Sequence, residues 1–157
     1  MEKIKITQEG YKKLRAEIED LKNIQRPKII EQIAEARDHG DLKENAEYHS
    51  AREKQGMVEA QIADLEDKLL RADVVDISKL SGDTVIFGAT VTLEDIDEAK
   101  RVTYKIVSEY EADIDLGLIS ASSPVARSLI GKKSGQEVEV RTPRGVVTYD
   151  IISVIFK

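Results

Sequence analysis

The stretch Asp38-His39-Gly40-Asp41-Leu42-Lys43-Glu44-Asn45-Ala46-Glu47 holds the side chains best suited to chemistry. Its carboxylates recur every third residue, at positions 38, 41, 44 and 47. Carboxylate oxygens are hard ligands for Mg²⁺, which takes one or two protein carboxylates and fills its shell with water or phosphate oxygens. Asp41 and Glu44 fall on one side of a first helical turn, so both can face a single ion. Their mutual repulsion raises the value of any cation that relieves it. The same spacing also serves folding, because Asp-x-x-Glu at a helix start is a capping box and acids there are favoured by the helix dipole. The two uses are compatible, since a cap holds one carboxylate while the other faces outward. They are separable, since asparagine caps about as well as aspartate.

Other polar residues near this stretch carry less. His39 and His49 are ten apart, whereas metal-binding helical histidine pairs usually sit four apart with a third ligand; surface positions are expected for both. Tyr48 is expected to pack between helices. Lys54 reads as a solvated charge.

The flanking segments have helical rhythm. Thr7 suits an N-cap, and Tyr11, Leu14, Ile18 and Leu21 follow at spacings of three, four and three, the seam of a coiled coil. Pro27 should bend this helix locally, after which Ile30, Ile33 and Ala34 resume an apolar face. Val58, Ile62, Leu65 and Leu69 mark a second helix. Gly40 suits the left-handed position that closes the first helix and Asp41 the N-cap of the second. A short link forces the two antiparallel. Residues 8–38 would rise roughly 46 Å, with one seam and no enclosed core. Such an arm is built to reach.

Near Asp73 the pattern changes. Val74–Ile77, Thr84–Phe87, Ala89–Leu93, Arg101–Val107, Glu137–Val140 and Val146–Phe156 are β-rich, separated by turn signals such as Ser81-Gly82-Asp83 and Thr142-Pro143-Arg144-Gly145. One short helix is expected over Pro124–Ile130. The chain therefore reads as α+β: an antiparallel two-helix coiled-coil hairpin over 1–75, with its acidic tip at 38–47, and a compact α+β domain with an antiparallel sheet over 76–157.

Composition narrows the partners. The 157 residues carry a net charge of −6, divided evenly: 14 Lys/Arg against 17 Asp/Glu up to residue 75, and 10 against 13 beyond it. A protein gripping nucleic acid through phosphates usually has a basic domain or stripe, so direct duplex binding is disfavoured. No apolar run reaches the length of a bilayer span. The absence of cysteine excludes disulfides and thiolate chemistry and fits a cytoplasmic location.

Residues 34–56 resemble the tip signature of the GreA/GreB transcript-cleavage factors, and more closely that of the GreA branch. Residues 83–91, Asp-Thr-Val-Ile-Phe-Gly-Ala-Thr-Val, resemble the start of that family's C-terminal domain, and 119–131 resemble its Ile-Ser-x-x-Ser-Pro-x-Ala-Arg segment. The resemblance implies an FKBP-like fold for 76–157. It implies a monomer whose hairpin enters the secondary channel of RNA polymerase and stimulates cleavage of the RNA 3′ end of a backtracked transcript. In that role Asp41 and Glu44 help hold an Mg²⁺ shared with the polymerase, with no cofactor bound stably by this chain alone. Asn45 supports them by orienting the carboxylate or a water, Arg37 and Arg52 contact RNA or polymerase, and Ser122 and Pro124 dock on the polymerase. The chain would not turn over substrate by itself. For Ser123-Pro124 a plainer use exists, a serine cap followed by proline at the first helical position. An FKBP-like fold does not confer isomerase activity; Phe87, Tyr104, Tyr110, Tyr149 and Phe156 lie in or beside strand-like runs, where core packing accounts for them. Two other functions fit the pattern less well: an inhibitory channel-binding homologue, and a coiled-coil adaptor or chaperone.

Overall fold

A computed structural model describes residues 2–40 and 44–157. The fold is α+β, with a helical hairpin and a sheet-rich part. Two compact units divide it: Tyr11–Ala72, and Lys3–Gly10 together with Asp73–Lys157. The first ten residues, read from sequence as the base of the hairpin, thus fall largely in the sheet-rich unit.

The hairpin comprises α1 (Gln8–Asp20), a π-helical turn (Leu21–Gln25), α2 (Arg26–Arg37) and α3 (Ala46–Arg71). Leu14, Ile18, Leu21, Ile29, Ile33 and Ala36 are buried from the first strand of the arm, and Ala51, Val58, Ile62 and Leu65 from the second. The expected apolar face at Ile30 and Ala34 is corrected: Ile30 is 51% exposed and Ala34 is exposed. The π turn supplies the reason. A heptad running 14, 18, 21, 25 would continue through Lys28, Gln32 and Glu35, all polar. The wider turn inserts one residue, and the seam moves to Ile29, Ile33 and Ala36. Arg26 accordingly donates its N–H to the Leu21 carbonyl, five residues back, and Pro27, which has no N–H, sits in the first turn of α2. The discontinuity expected at Pro27 is thus a change of helical register just before it.

Two exposed ion pairs bridge the antiparallel helices, Lys22 with Glu66 at 3.2 Å and Arg26 with Glu59 at 2.7 Å. The Arg26 fork is bidentate, and its hydrogen bond to Glu59 holds the guanidinium pKa above its ordinary value.

In the second unit, β1 (Ile4–Thr7) pairs with β2 (Ala72–Val75). The main sheet has the order β5-β4-β3-β7-β6, built from β3 (Thr90–Asp95), β4 (Arg101–Val107), β5 (Leu118–Ser120), β6 (Glu137–Thr142) and β7 (Gly145–Ile155). All pairings are antiparallel except β4–β5, which is parallel, so the expectation of a wholly antiparallel sheet is corrected at that edge. One extra residue, Ile152, bulges β7 opposite Thr92 and Leu93, which sharpens the local twist. Helix α4 (Pro124–Leu129) packs on β6 and β5 and delivers Ala126 and Leu129 to a core with Val91, Leu93, Ile106 and Ile151. The strand expected at Thr84–Phe87 does not form: Thr84 makes one isolated bridge to Lys133. The chain then turns, with Ala89 donating its N–H to the Ile86 carbonyl. Phe87 and Tyr110 therefore occupy turns, not strands.

Thr7 caps α1, as its position before the apolar rhythm implied. Its hydroxyl oxygen accepts from the Gly10 N–H at 3.1 Å. The same hydroxyl donates to the buried carboxylate of Glu111, which also accepts from the Thr7 N–H, the Ser108 N–H and the Ser108 hydroxyl. Four donors satisfy this buried acid, as burial of a carboxylate requires.

Candidate functional site: the hairpin tip

Of the two helix ends that bracket the acidic stretch, the end of α2 is closed by backbone hydrogen bonds. Beyond Arg37, the amides of Asp38 and His39 donate to the carbonyls of Glu35 and Ala36 at 3.2 Å each. Gly40 follows at φ +116, in the left-handed region that glycine enters without penalty, as its place in the sequence implied. Asp41 and Lys43 lie outside the described residues.

The start of the second helix differs from expectation. Helix α3 begins at Ala46, and its N-cap is Asn45, whose side-chain oxygen accepts from the Tyr48 N–H at 3.0 Å. Glu44 precedes the helix, exposed and in a bend. It is therefore not the third residue of a helical turn, and the helical placing expected for Glu44 is corrected. Asparagine and aspartate cap comparably, so local preference left Asp41 and Asn45 equivalent. The tertiary contact decides between them: the Asn45 amide also donates to the Ala36 carbonyl at 2.5 Å, at the far end of α2.

Two further contacts join the same helix ends. The Arg37 guanidinium lies 6.0 Å above the Tyr48 ring, and His39 Nδ1 lies 3.5 Å from a Glu47 carboxylate oxygen. Tyr48 is half-buried and His39 is largely exposed. None of these pairings has a signature in a single sequence beyond the presence of the residues. Just below, a shallow groove between α2 and α3 is lined by Gln32, Glu35, His39, Glu47 and Lys54 among others.

The structure thus brings Arg37, Glu44 and Asn45 together at the tip, while Arg52 is exposed farther along α3. Among the described residues Glu44 makes no hydrogen bond or ion pair, and no group of three or more potential ligands gathers. An exposed carboxylate with free oxygens fits a hard cation that draws the rest of its shell from outside the chain. Ser122 and Pro124 stand together in the sheet-rich unit. The Ser122 N–H donates to the Ser120 hydroxyl oxygen at 3.1 Å, and the two hydroxyls are 2.7 Å apart. Pro124 opens α4 behind the Ser123 cap, so the structural use foreseen for Ser123-Pro124 is present.

A helical hairpin that offers acidic side chains at its turn, joined in one chain to a five-stranded sheet, defines an arm-and-sheet class of protein. Residues 4–74 match the family model described as transcription elongation factor, N-terminal, and residues 80–156 match the model for the GreA/GreB C-terminal part. The chain is 55% identical over 157 residues to the transcription elongation factor GreA of Hyphomonas neptunium, covering 100% of both chains. It is 58% identical over 154 residues to that of Rhodopseudomonas palustris, covering 98% of this chain and 96% of the relative. A solved structure of the GreA factor homolog 1 of Thermus thermophilus aligns at 27% identity and a TM-score of 0.44, covering 97% of this chain and 98% of that one. The chain belongs to the GreA/GreB family of transcription elongation factors. Among the described residues no helix is long and apolar enough to cross a membrane.

Proposed function

We propose that this factor acts on RNA polymerase as a cytoplasmic monomer. Its hairpin enters the secondary channel of a backtracked enzyme and stimulates the polymerase's own endonucleolytic cleavage of the extruded RNA 3′ end, so that an arrested complex resumes. The observation that carries this reading is the tip: Glu44 stands exposed between two fastened helix ends, three residues after Asp41 in the sequence. Family membership supports it. The chain supplies carboxylates and the polymerase supplies the catalytic centre, so no turnover is expected from this chain alone.

Asp41 and Glu44 are the residues that would hold an Mg²⁺ shared with the polymerase. Such an ion, when bound, activates a water and stabilises charge at the scissile phosphate. Two carboxylates in water make a weak Mg²⁺ site until phosphate oxygens complete the shell, so binding follows docking. Arg37 and Arg52 have the charge to contact RNA phosphates or polymerase acids. Ser122 and Pro124 are the proposed docking residues of the sheet-rich unit.

The test is RNA 3′-end cleavage by a stalled, backtracked polymerase with Mg²⁺, comparing wild type, Asp41→Asn and Glu44→Gln. Both variants should bind polymerase and melt like wild type but lose about 100-fold in cleavage rate, roughly 2.7 kcal/mol of barrier. Full activity in Glu44→Gln would remove the metal role from that residue. Binding with suppressed cleavage by the wild type would make the factor an inhibitor, and absence of polymerase binding would make it an adaptor.

A further inference from the structure

Asn45 has two polar atoms, and both are engaged inside the hairpin. The oxygen faces the Tyr48 N–H at 3.0 Å and the amide nitrogen faces the Ala36 carbonyl at 2.5 Å. The two partners fix the orientation of the carboxamide without ambiguity, because an N–H can only donate and a carbonyl can only accept. Ala36 is 2% exposed, and its carbonyl, in the last turn of α2, accepts from Asn45 in addition to the His39 N–H. One side chain therefore caps the start of α3 and ties it to the end of α2. The Asn45 backbone is extended, at φ −85 and ψ 96, so the chain turns sharply between Glu44 and the helix.

We infer that Asn45 is a positioning residue: by clasping the ends of α2 and α3 it fixes where the neighbouring Glu44 carboxylate leaves the tip. The family resemblance left open whether Asn45 orients the carboxylate or a water; the bond to the Ala36 carbonyl gives a route to the first. One N–H and one lone pair of the carboxamide are held within the hairpin, which is enough to fix its plane. The inference rests on the cleavage reading above and deepens it at one residue. It also separates two duties that asparagine alone combines here. Serine and aspartate cap a helix as well as asparagine does, but neither carries an amide donor long enough to reach across to Ala36.

The experiment uses the full chain with backtracked polymerase complexes and reads two quantities apart: the maximal cleavage rate and the factor concentration giving half of it. Asn45→Ser keeps the cap and removes the clasp without adding charge. It should retain helix content, melting temperature and half-saturating concentration, while the maximal rate falls about tenfold, equivalent to roughly 1.4 kcal/mol. Wild-type maximal rate in Asn45→Ser would overturn the inference. A rate that falls only in step with folding or polymerase binding would overturn it too, since the residue would then be a cap and nothing more. Glu44→Gln in the same assay keeps the two ideas distinct. Full cleavage by that variant defeats the functional reading itself, whereas lost cleavage there with an unaffected Asn45→Ser defeats only the clasp.

Discussion

In the hairpin, the buried residues of the π turn and α2 meet those of α3 along one line, and every other face of those helices is in water. In the sheet-rich unit, Leu93, Ile106 and Ile151 are enclosed by strands on both sides and by α4 above them. The first arrangement is extended and depends on register, since one inserted residue at the π turn decides whether isoleucines or polar residues face the partner helix. The second is closed and depends on volume. Function follows the same division: the arm spends its length presenting a tip, and the sheet unit supplies an enclosed core.

Truncation should separate the two. Leu93 is 0% exposed, and Leu93→Ala leaves a hole that its neighbours cannot fill, costing about 3–5 kcal/mol. Ile62 is 3% exposed but sits on an open seam, where the helices can close up and water can enter, so Ile62→Ala should cost about 2 kcal/mol. Calorimetric unfolding of the full chain measures both. Equal losses would mean that the seam is as enclosed as the core.

Two helical glycines give a comparison of opposite sign. A Cβ at Gly10 would lie 2.2 Å from the carboxyl carbon of Glu111, whose oxygens are held by Thr7 and Ser108. Gly10→Ala should therefore destabilise by about 1–3 kcal/mol, the cost of disturbing a satisfied buried acid. At Gly56, within α3, a Cβ would meet nothing within 4 Å. There Gly56→Ala should stabilise by about 0.5–1 kcal/mol through backbone entropy. Urea midpoints read both signs directly, and a stabilising Gly10→Ala would show that Glu111 moves aside freely.

The same contrast explains what sequence could convey. Periodicity identified the helices and most strands because each depends on its own residues, and Thr7 was recognisable as a cap because the apolar rhythm starts just after it. The acidic stretch stood out as a candidate because its carboxylates are close in sequence. What escaped needed contacts between distant segments. The seam after Leu21 was misplaced because a π turn changes the period that the reading assumes. The cap of α3 was assigned to Asp41, because only the carbonyl of Ala36 distinguishes Asn45 from it. Glu111 drew no notice, being 104 residues from the Thr7 hydroxyl that it holds. The parallel edge strand Leu118–Ser120 was missed for its shortness, three residues with no alternation to read.

The smallest expected effect concerns Tyr149, on β7 beside the turn that follows β3. Burial pushes its phenol pKa up, and Tyr104, Asp95 and Glu98 add to the rise because negative charge nearby disfavours the phenolate. In the unfolded chain the phenol ionises near the ordinary value of about 10. Between that value and the higher folded one, the unfolded state releases a proton that the folded state keeps, so stability falls as pH rises through this window. Below it the phenol is neutral in both states and contributes no pH dependence. Tyr149→Phe removes the ionisation, so its urea midpoint should match wild type in pH dependence up to about pH 9 and fall less steeply above about pH 10. The phenol is partly exposed, so solvent screening keeps the difference modest. Parallel curves for the two proteins across the alkaline range would show that Tyr149 feels no more burial folded than unfolded, and would locate the closed character of the sheet unit elsewhere on β7.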